Sequence, residues 1–156
     1  MKTFLFILTG LIFAFSSCAS PSDIDNNNTL INEENTDTLA TTNIKITINS
    51  QIFTATLSEN ETAKAFVKIL PMTINMTELN GNEKYYDLPN SLPTNSSNPQ
   101  TIKNGDFMLY GSRTLVLFYK TFSTSYRYTK LGTIDDITTF ASALGSGNIT
   151  VTFEPE

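Results

Sequence analysis

Few residues in this chain could do chemistry, and what is missing decides more than what is present. There is no histidine, so no serine can draw on an imidazole base and a Ser-His-Asp triad is excluded. Asp135-Asp136 has the look of a carboxylate pair for a metal, but adjacent acids at the start of a helix commonly cap it and complement its dipole. With no histidine and one cysteine, Cys18, no transition-metal cluster can be assembled, and neither metal nor cofactor is expected. Arg113 and Arg127 are the two arginines. Either could donate to a reacting amide, although each also suits a solvated turn or a stack on a neighbouring ring. Tyr85, Tyr86, Phe122, Tyr126 and Tyr128 are a high density of aromatics. Read one way, half fill a core and the rest lie wetted on the surface; read the other way, they are the amphipathic anchors of a binding groove.

The elements that would position these residues do not occupy the whole chain. In its 156 residues there is room for one domain. Lys2 precedes an apolar run over residues 4–15, too short for the roughly 20 residues of a membrane span but suited to an export signal. Ser16-Ser17-Cys18 follows, which resembles the lipobox of bacterial lipoproteins, with Phe15 where leucine is more usual. That resemblance implies a signal over residues 1–17 and diacylglycerol on Cys18. The alternative is an ordinary secretory signal that leaves a stray cysteine. A lone cysteine forms no internal bridge, so an exported domain of this kind must be held by its core.

Residues 18–42 are rich in Ser, Asn, Thr, Asp and Glu and lack an apolar period, the composition of a flexible tether. The tether carries Asp23, Asp25, Glu33, Glu34 and Asp37 and no Lys or Arg, which accounts for the net charge of −5. Over residues 43–156 ten acids face nine bases. A nearly neutral domain without a basic stripe argues against nucleic acid as a partner.

Within the domain, Ile44, Ile46 and Ile48 alternate as a strand with one buried face. Asn49-Ser50 turns the chain, and residues 52–57 run back. Ser58 and Glu61 read as a capping box, followed by a helix with Ala63, Phe66, Val67 and Leu70 on one stripe and Pro71 ending it. Met72, Ile74 and Met76 alternate in the next strand, Asn80-Gly81 turns it, and residues 83–88 form another. Residues 89–99 are too poor in apolar side chains for core and read as a long surface loop. Residues 107–110, 114–121 and 126–134 are further strands. Asp135 or Asp136 caps a second helix with Ile137, Phe140, Ala141 and Leu144 on its stripe, Gly145 ends it, and Ile149, Val151 and Phe153 close the chain. About eight strands and two short helices suggest a mainly β fold, a closed barrel with helices over its open ends.

That order of elements resembles the small bacterial cyclophilin-like domain family. The resemblance rests on residues 53–57, 62–66, Leu70-Pro71, residues 79–85, Gly105-Asp106, residues 109–111, residues 115–119 and Leu131-Gly132. It implies a closed eight-stranded barrel with two short capping helices. True cyclophilins place an arginine on the strand after the first helix, an apolar pocket of phenylalanines beside it, and histidine and tryptophan at the rim. Here that strand, residues 72–77, has no arginine, and the chain has neither His nor Trp, so no catalytic residue is assigned. Phe118, on the strand corresponding to the pocket, is expected to floor a groove with Tyr85, Tyr126 and Arg113. The resulting expectation is a lipid-anchored module of the bacterial envelope, outer membrane or periplasm-facing, held to the membrane through Cys18 and binding an extended peptide or small ligand. A weak prolyl isomerase acting on exported proteins is the alternative.

Overall fold

The computed structural model describes residues 43–156; the expected signal, tether and lipidated Cys18 lie outside the described residues. Ile44, Ile46 and Ile48 are buried while Lys45 and Thr47 between them are half-buried, as one-faced alternation requires. In chain order the elements are β1 (Asn43–Ile48), β2 (Gln51–Leu57), α1 (Glu61–Val67), β3 (Met72–Leu79), β4 (Glu83–Asp87), β5 (Thr101–Ile102), β6 (Asp106–Tyr110), β7 (Thr114–Phe118), β8 (Phe122–Ser123), β9 (Tyr128–Ile134), α2 (Phe140–Leu144) and β10 (Ile149–Pro155). Asn49 and Ser50 have φ of 47° and 67°, the left-handed pair whose twist matches that of the two strands it joins.

Eight strands close into one antiparallel barrel in the order β1-β10-β3-β4-β7-β6-β9-β2. Closure leaves no edge in that sheet. It also commits alternate residues of each strand to the interior, where Ala55, Met76, Leu109, Leu117 and Val151 meet. Both helices contribute a phenylalanine. Phe66 of α1 sits edge-on to Phe107 and Phe153, with ring centroids 5.2 and 5.7 Å away; Phe140 of α2 meets Phe53 at 5.4 Å. All five of these rings are buried, and burial of each such side chain stabilises by about 1.5–3 kcal/mol.

Several boundaries differ from the sequence reading. The cap of α1 is Asn60, whose side chain accepts from the Ala63 amide at 2.8 Å, whereas the Ser58 amide donates to Leu131 O on β9. The predicted capping box does not form because Ser58 is still paired with the barrel. At α2 the acids do not cap. Asp135 Oδ1 accepts from Thr56 Oγ1 at 2.7 Å, Asp136 Oδ1 accepts from the Thr138 amide, and the helix begins only at Phe140. Residues 89–99 are not wholly peripheral either. Leu92 is buried in the barrel core, and Pro93 O accepts from Thr62 Oγ1 of α1 at 2.8 Å.

One end of the barrel is closed by a buried charge. Lys84 points inward from β4 and is fully buried. Its Nζ donates to the Glu78 carboxylate, to Gly145 O at 2.9 Å and to Gly147 O at 2.7 Å, so three acceptors meet its three N–H groups. Tyr119 Oη lies 2.7 and 2.8 Å from the two Glu78 oxygens, and the Gly81 amide donates to Oε1 at 2.8 Å. Burial alone would push Glu78 upward, but the bonds from Lys84 and Tyr119 and the lysine charge outweigh it and hold the carboxyl below its usual range. The same surroundings raise the Tyr119 hydroxyl, through burial first and then the Glu78 carboxylate. The cluster thereby ties β3, β4 and β7 to the loop between α2 and β10.

Two expectations follow. Lys84→Met should cost about 3 kcal/mol at neutral pH, the low end for removing one partner of a buried pair, because the Glu78 side chain retains 19% exposure. Glu78 is more acidic folded than unfolded, so its contribution is complete above the ordinary glutamate range and is lost as pH falls through its lowered folded value. Urea denaturation should therefore show the gap between wild type and variant narrowing in acid; a gap independent of pH would contradict this account. Separately, a Cβ on Gly132 would lie 2.5 Å from Thr56 O and 3.1 Å from Leu57 Cα on the facing strand. Gly132→Ala should lose about 1–3 kcal/mol through overpacking. Gly147→Ala, with nothing within 4 Å of the added atom, should change stability little.

Candidate functional site

The same alternation that fills the barrel places a second set of side chains on its outside. Lys84 and Tyr86 of β4 turn toward the core, so Glu83, Tyr85 and Asp87 face outward. On β7, Leu115 and Leu117 face in while Val116 and Phe118 face out. These outward apolar residues form a smaller cluster with Ile102, Met108 and Tyr128, against which Tyr85 and Phe122 pack.

Covering that cluster is a two-stranded ribbon, β5 against β8. Phe122 from β8 lies 5.7 Å from the Phe118 ring, and Tyr128 from β9 meets it edge-on at 5.5 Å. The ribbon is fastened by the Thr124 amide donating to Gln100 O at 2.9 Å and by paired 2.9 Å bonds between Ser97 and Tyr128. Neither the ribbon nor its pairing was evident from the sequence, because two residues per strand are too few to show a period.

Beside the ribbon the outer face remains open as a groove of about 550 Å³, within the usual range for small-molecule sites. Its apolar lining includes Tyr85, Val116, Phe122 and Tyr128, with Tyr110 and Tyr126 among the lining residues as well. The Tyr110 and Tyr126 rings meet edge-on at 6.0 Å and are 45% and 61% exposed. Glu83, Asp87, Thr114 and Ser123-Thr124-Ser125 supply the polar part, and Leu79, Asn80 and Asn82 line it near the β3–β4 turn. No lysine or arginine is among the lining residues.

The expected groove residues are therefore divided. Tyr85 and Tyr126 line the same hollow. Phe118 does not reach it: the ring is fully buried beneath Phe122 and Tyr128. It occupies the outer face as its position on the strand implies, but the ribbon covers it. Arg113 lies exposed in the turn between β6 and β7, where its carbonyl accepts from the Leu88 amide at 2.8 Å, and it is not among the lining residues. Arg127 donates to Ser96 O at 2.6 Å, toward the long loop. Glu83, Asp87 and Tyr110 were missed as site residues. For the first two the signal was present, since the spacing Glu83-x-Tyr85-x-Asp87 puts all three on one face of a strand.

The electrostatics of the groove follow from this placement. Glu83 is half-buried, and burial, reinforced by the nearby Glu78 charge, pushes its carboxyl above the usual range. Among the described residues no side chain pairs with it. Asp87 Oδ1 accepts from Thr114 Oγ1 at 2.6 Å. The Tyr128 hydroxyl is raised by burial and then by the Glu83 charge.

Comparison with known proteins agrees with this architecture. Residues 46–154 match the cyclophilin-like family. The solution structure of a hypothetical protein from Archaeoglobus fulgidus is similar in fold, with a TM-score of 0.56 at 17% identity over 75% of this chain and 96% of the other. No curated protein matches. The family match spans most of the chain and falls on the barrel just described, and on that basis the chain belongs to the cyclophilin-like family.

Proposed function

We propose that this protein is a binding module of the bacterial envelope, anchored by lipid on Cys18, whose outer-face groove holds an extended peptide or small ligand without turning it over. The observation that carries the reading is the open aromatic hollow over Tyr85, Tyr128 and Tyr126 beside the β8 ribbon. Rings of this kind offer a large contact area with few rotors to immobilise, and their hydroxyls add polar contacts at the rim. Prolyl isomerisation must lower a barrier of about 18–20 kcal/mol. The true cyclophilins bring an arginine to the proline amide, but no guanidinium lines this groove. Ligand retention needs only the surface, whereas turnover needs a donor as well.

Titration of the isotope-labelled full chain, in detergent, with proline-containing peptides and small ligands should move amide signals of Tyr85, Ser123 and Tyr126. Perturbation elsewhere, or none, would count against the groove. A coupled isomerisation assay on the same sample should give the background rate; activity lost in Arg113→Ala or Arg127→Ala would establish the enzymatic alternative instead.

The anchor has its own test. Cells expressing the chain with labelled fatty acid should incorporate label, and Cys18→Ala should abolish incorporation and release the protein from the membrane fraction. A membrane-bound, unlabelled wild type would sink the lipoprotein reading.

A further inference from the structure

The groove combines features that a purely apolar site would not need. It is lined by five aromatic rings and two carboxylates and by no basic residue. Glu83 stands half-buried with no donor among the described residues, although every lone pair of a carboxylate taken from water calls for one. Asp87 uses Thr114 Oγ1 at 2.6 Å and retains further acceptor capacity. Asn82 Oδ1, on a residue at the turn end of the same lining, is buried without a partner. Lys120 stands close by the Gly81 turn but outside the lining set. Glu78, the other acid nearby, is already satisfied by Lys84 and Tyr119 and has nothing to offer a ligand.

We infer that the ligand is cationic: a lysine or arginine side chain on an extended segment, its charge received by Glu83 and Asp87 and its alkyl stem laid across the tyrosine rings. This rests on the binding-module reading and adds to it the chemistry of what is bound. Both halves of the site favour the same partner. An ammonium or guanidinium supplies the donors that the carboxylates lack, and the faces of tyrosine rings attract cations. A ligand without donors would leave Glu83 unpaired, a neutral donor would leave its charge unbalanced, and an acidic ligand would place like charges together. The size of the hollow, in the range that holds a drug-sized ligand, favours a charged side chain with flanking backbone over a lone amine. Ser123, Thr124 and Ser125 along one side offer hydroxyls to such a backbone.

The test is calorimetric titration of the full chain in detergent with three probes: a capped peptide carrying one lysine, the same peptide with glutamine in its place, and n-butylammonium. The lysine peptide should bind at least about tenfold tighter than the glutamine peptide and weaken as salt rises. Glu83→Gln should lower its affinity by about tenfold. That substitution removes a charge whose raised pKa already disfavours it in the fold, so the variant should stay folded at neutral pH. Tyr126→Ala, at a ring 61% exposed, should also weaken the lysine peptide and serves as an independent check. Equal binding of both peptides, or Glu83→Gln without effect, would overturn the cationic assignment while leaving the groove standing. If neither peptide nor the amine binds, the groove reading itself fails. Butylammonium binding as tightly as the lysine peptide would overturn the commitment to a peptide and assign the site to free amines.

Discussion

The ammonium of Lys84 is the point on which the rest of the domain is hung. A lysine buried without partners would lose its charge or unfold its surroundings, and here its three N–H groups find a carboxylate and two carbonyls. Those acceptors come from two separate stretches, the end of β3 and the loop between α2 and β10. The charge therefore ties the segment that follows the second helix to β4, as it does the end of β3. Apolar groups of similar size could fill the space at equal or better stability. They would not demand that those particular carbonyls converge, and convergence is what brings the last strand back beside β3.

The direction of Lys84 also determines the groove. Because neighbouring residues on a strand point to opposite faces, an inward Lys84 forces Glu83 and Tyr85 outward, and the β7 partners divide in the same way, with Leu117 inside and Val116 and Phe118 outside. A slip of one residue in β4 would exchange the two sets. Lys84 would then face solvent, and Glu83 and Tyr85 would crowd the barrel. Register in this strand is specified by chemistry on both faces, an ion pair within and a ring-and-carboxylate row without, and so the site inherits its precision from the core.

Much of the fold was legible because its strands announce themselves. Ile44-x-Ile46-x-Ile48 and Ile74-x-Met76 carry their faces in their spacing, and Asn49-Ser50 and Asn80-Gly81 mark the turns. The cyclophilin-like order of elements could be recognised from stretches that do lie along the barrel. The site was less legible, for reasons that differ by residue. Phe118 was expected to floor the groove and lies instead beneath Phe122 and Tyr128: whether an outward residue is exposed depends on what covers it, and a ribbon of two-residue strands leaves no periodic trace. Asp135 and Asp136 sit where caps would sit, yet Thr56 on β2 competes for the first and the helix starts late. Leu92 lies in a loop whose composition gives no hint of a core residue; the loop folds back to the start of α1, where Thr62 Oγ1 donates to Pro93 O.

What the cyclophilin-like barrel provides here is an outward face lined by rings and carboxylates. In a prolyl isomerase the outer sheet presents a permanently charged donor to an amide whose resonance must be broken, and such donation is effective because the charge is fixed in advance. The groove of this protein presents the opposite polarity. Its charged groups, Glu83 and Asp87, are acceptors, and its donors, the hydroxyls and the side-chain amides of Asn80 and Asn82, carry no charge of their own. Reversing the sign of a site while keeping its rings changes which ligand is held more than whether one is held, since the aromatic contact is indifferent to the direction of a hydrogen bond while the polar contact is not. A barrel can therefore present a groove with no arginine in it, provided other polar groups select the partner, and the unpaired carboxylate of Glu83 is the residue in which that selection would reside.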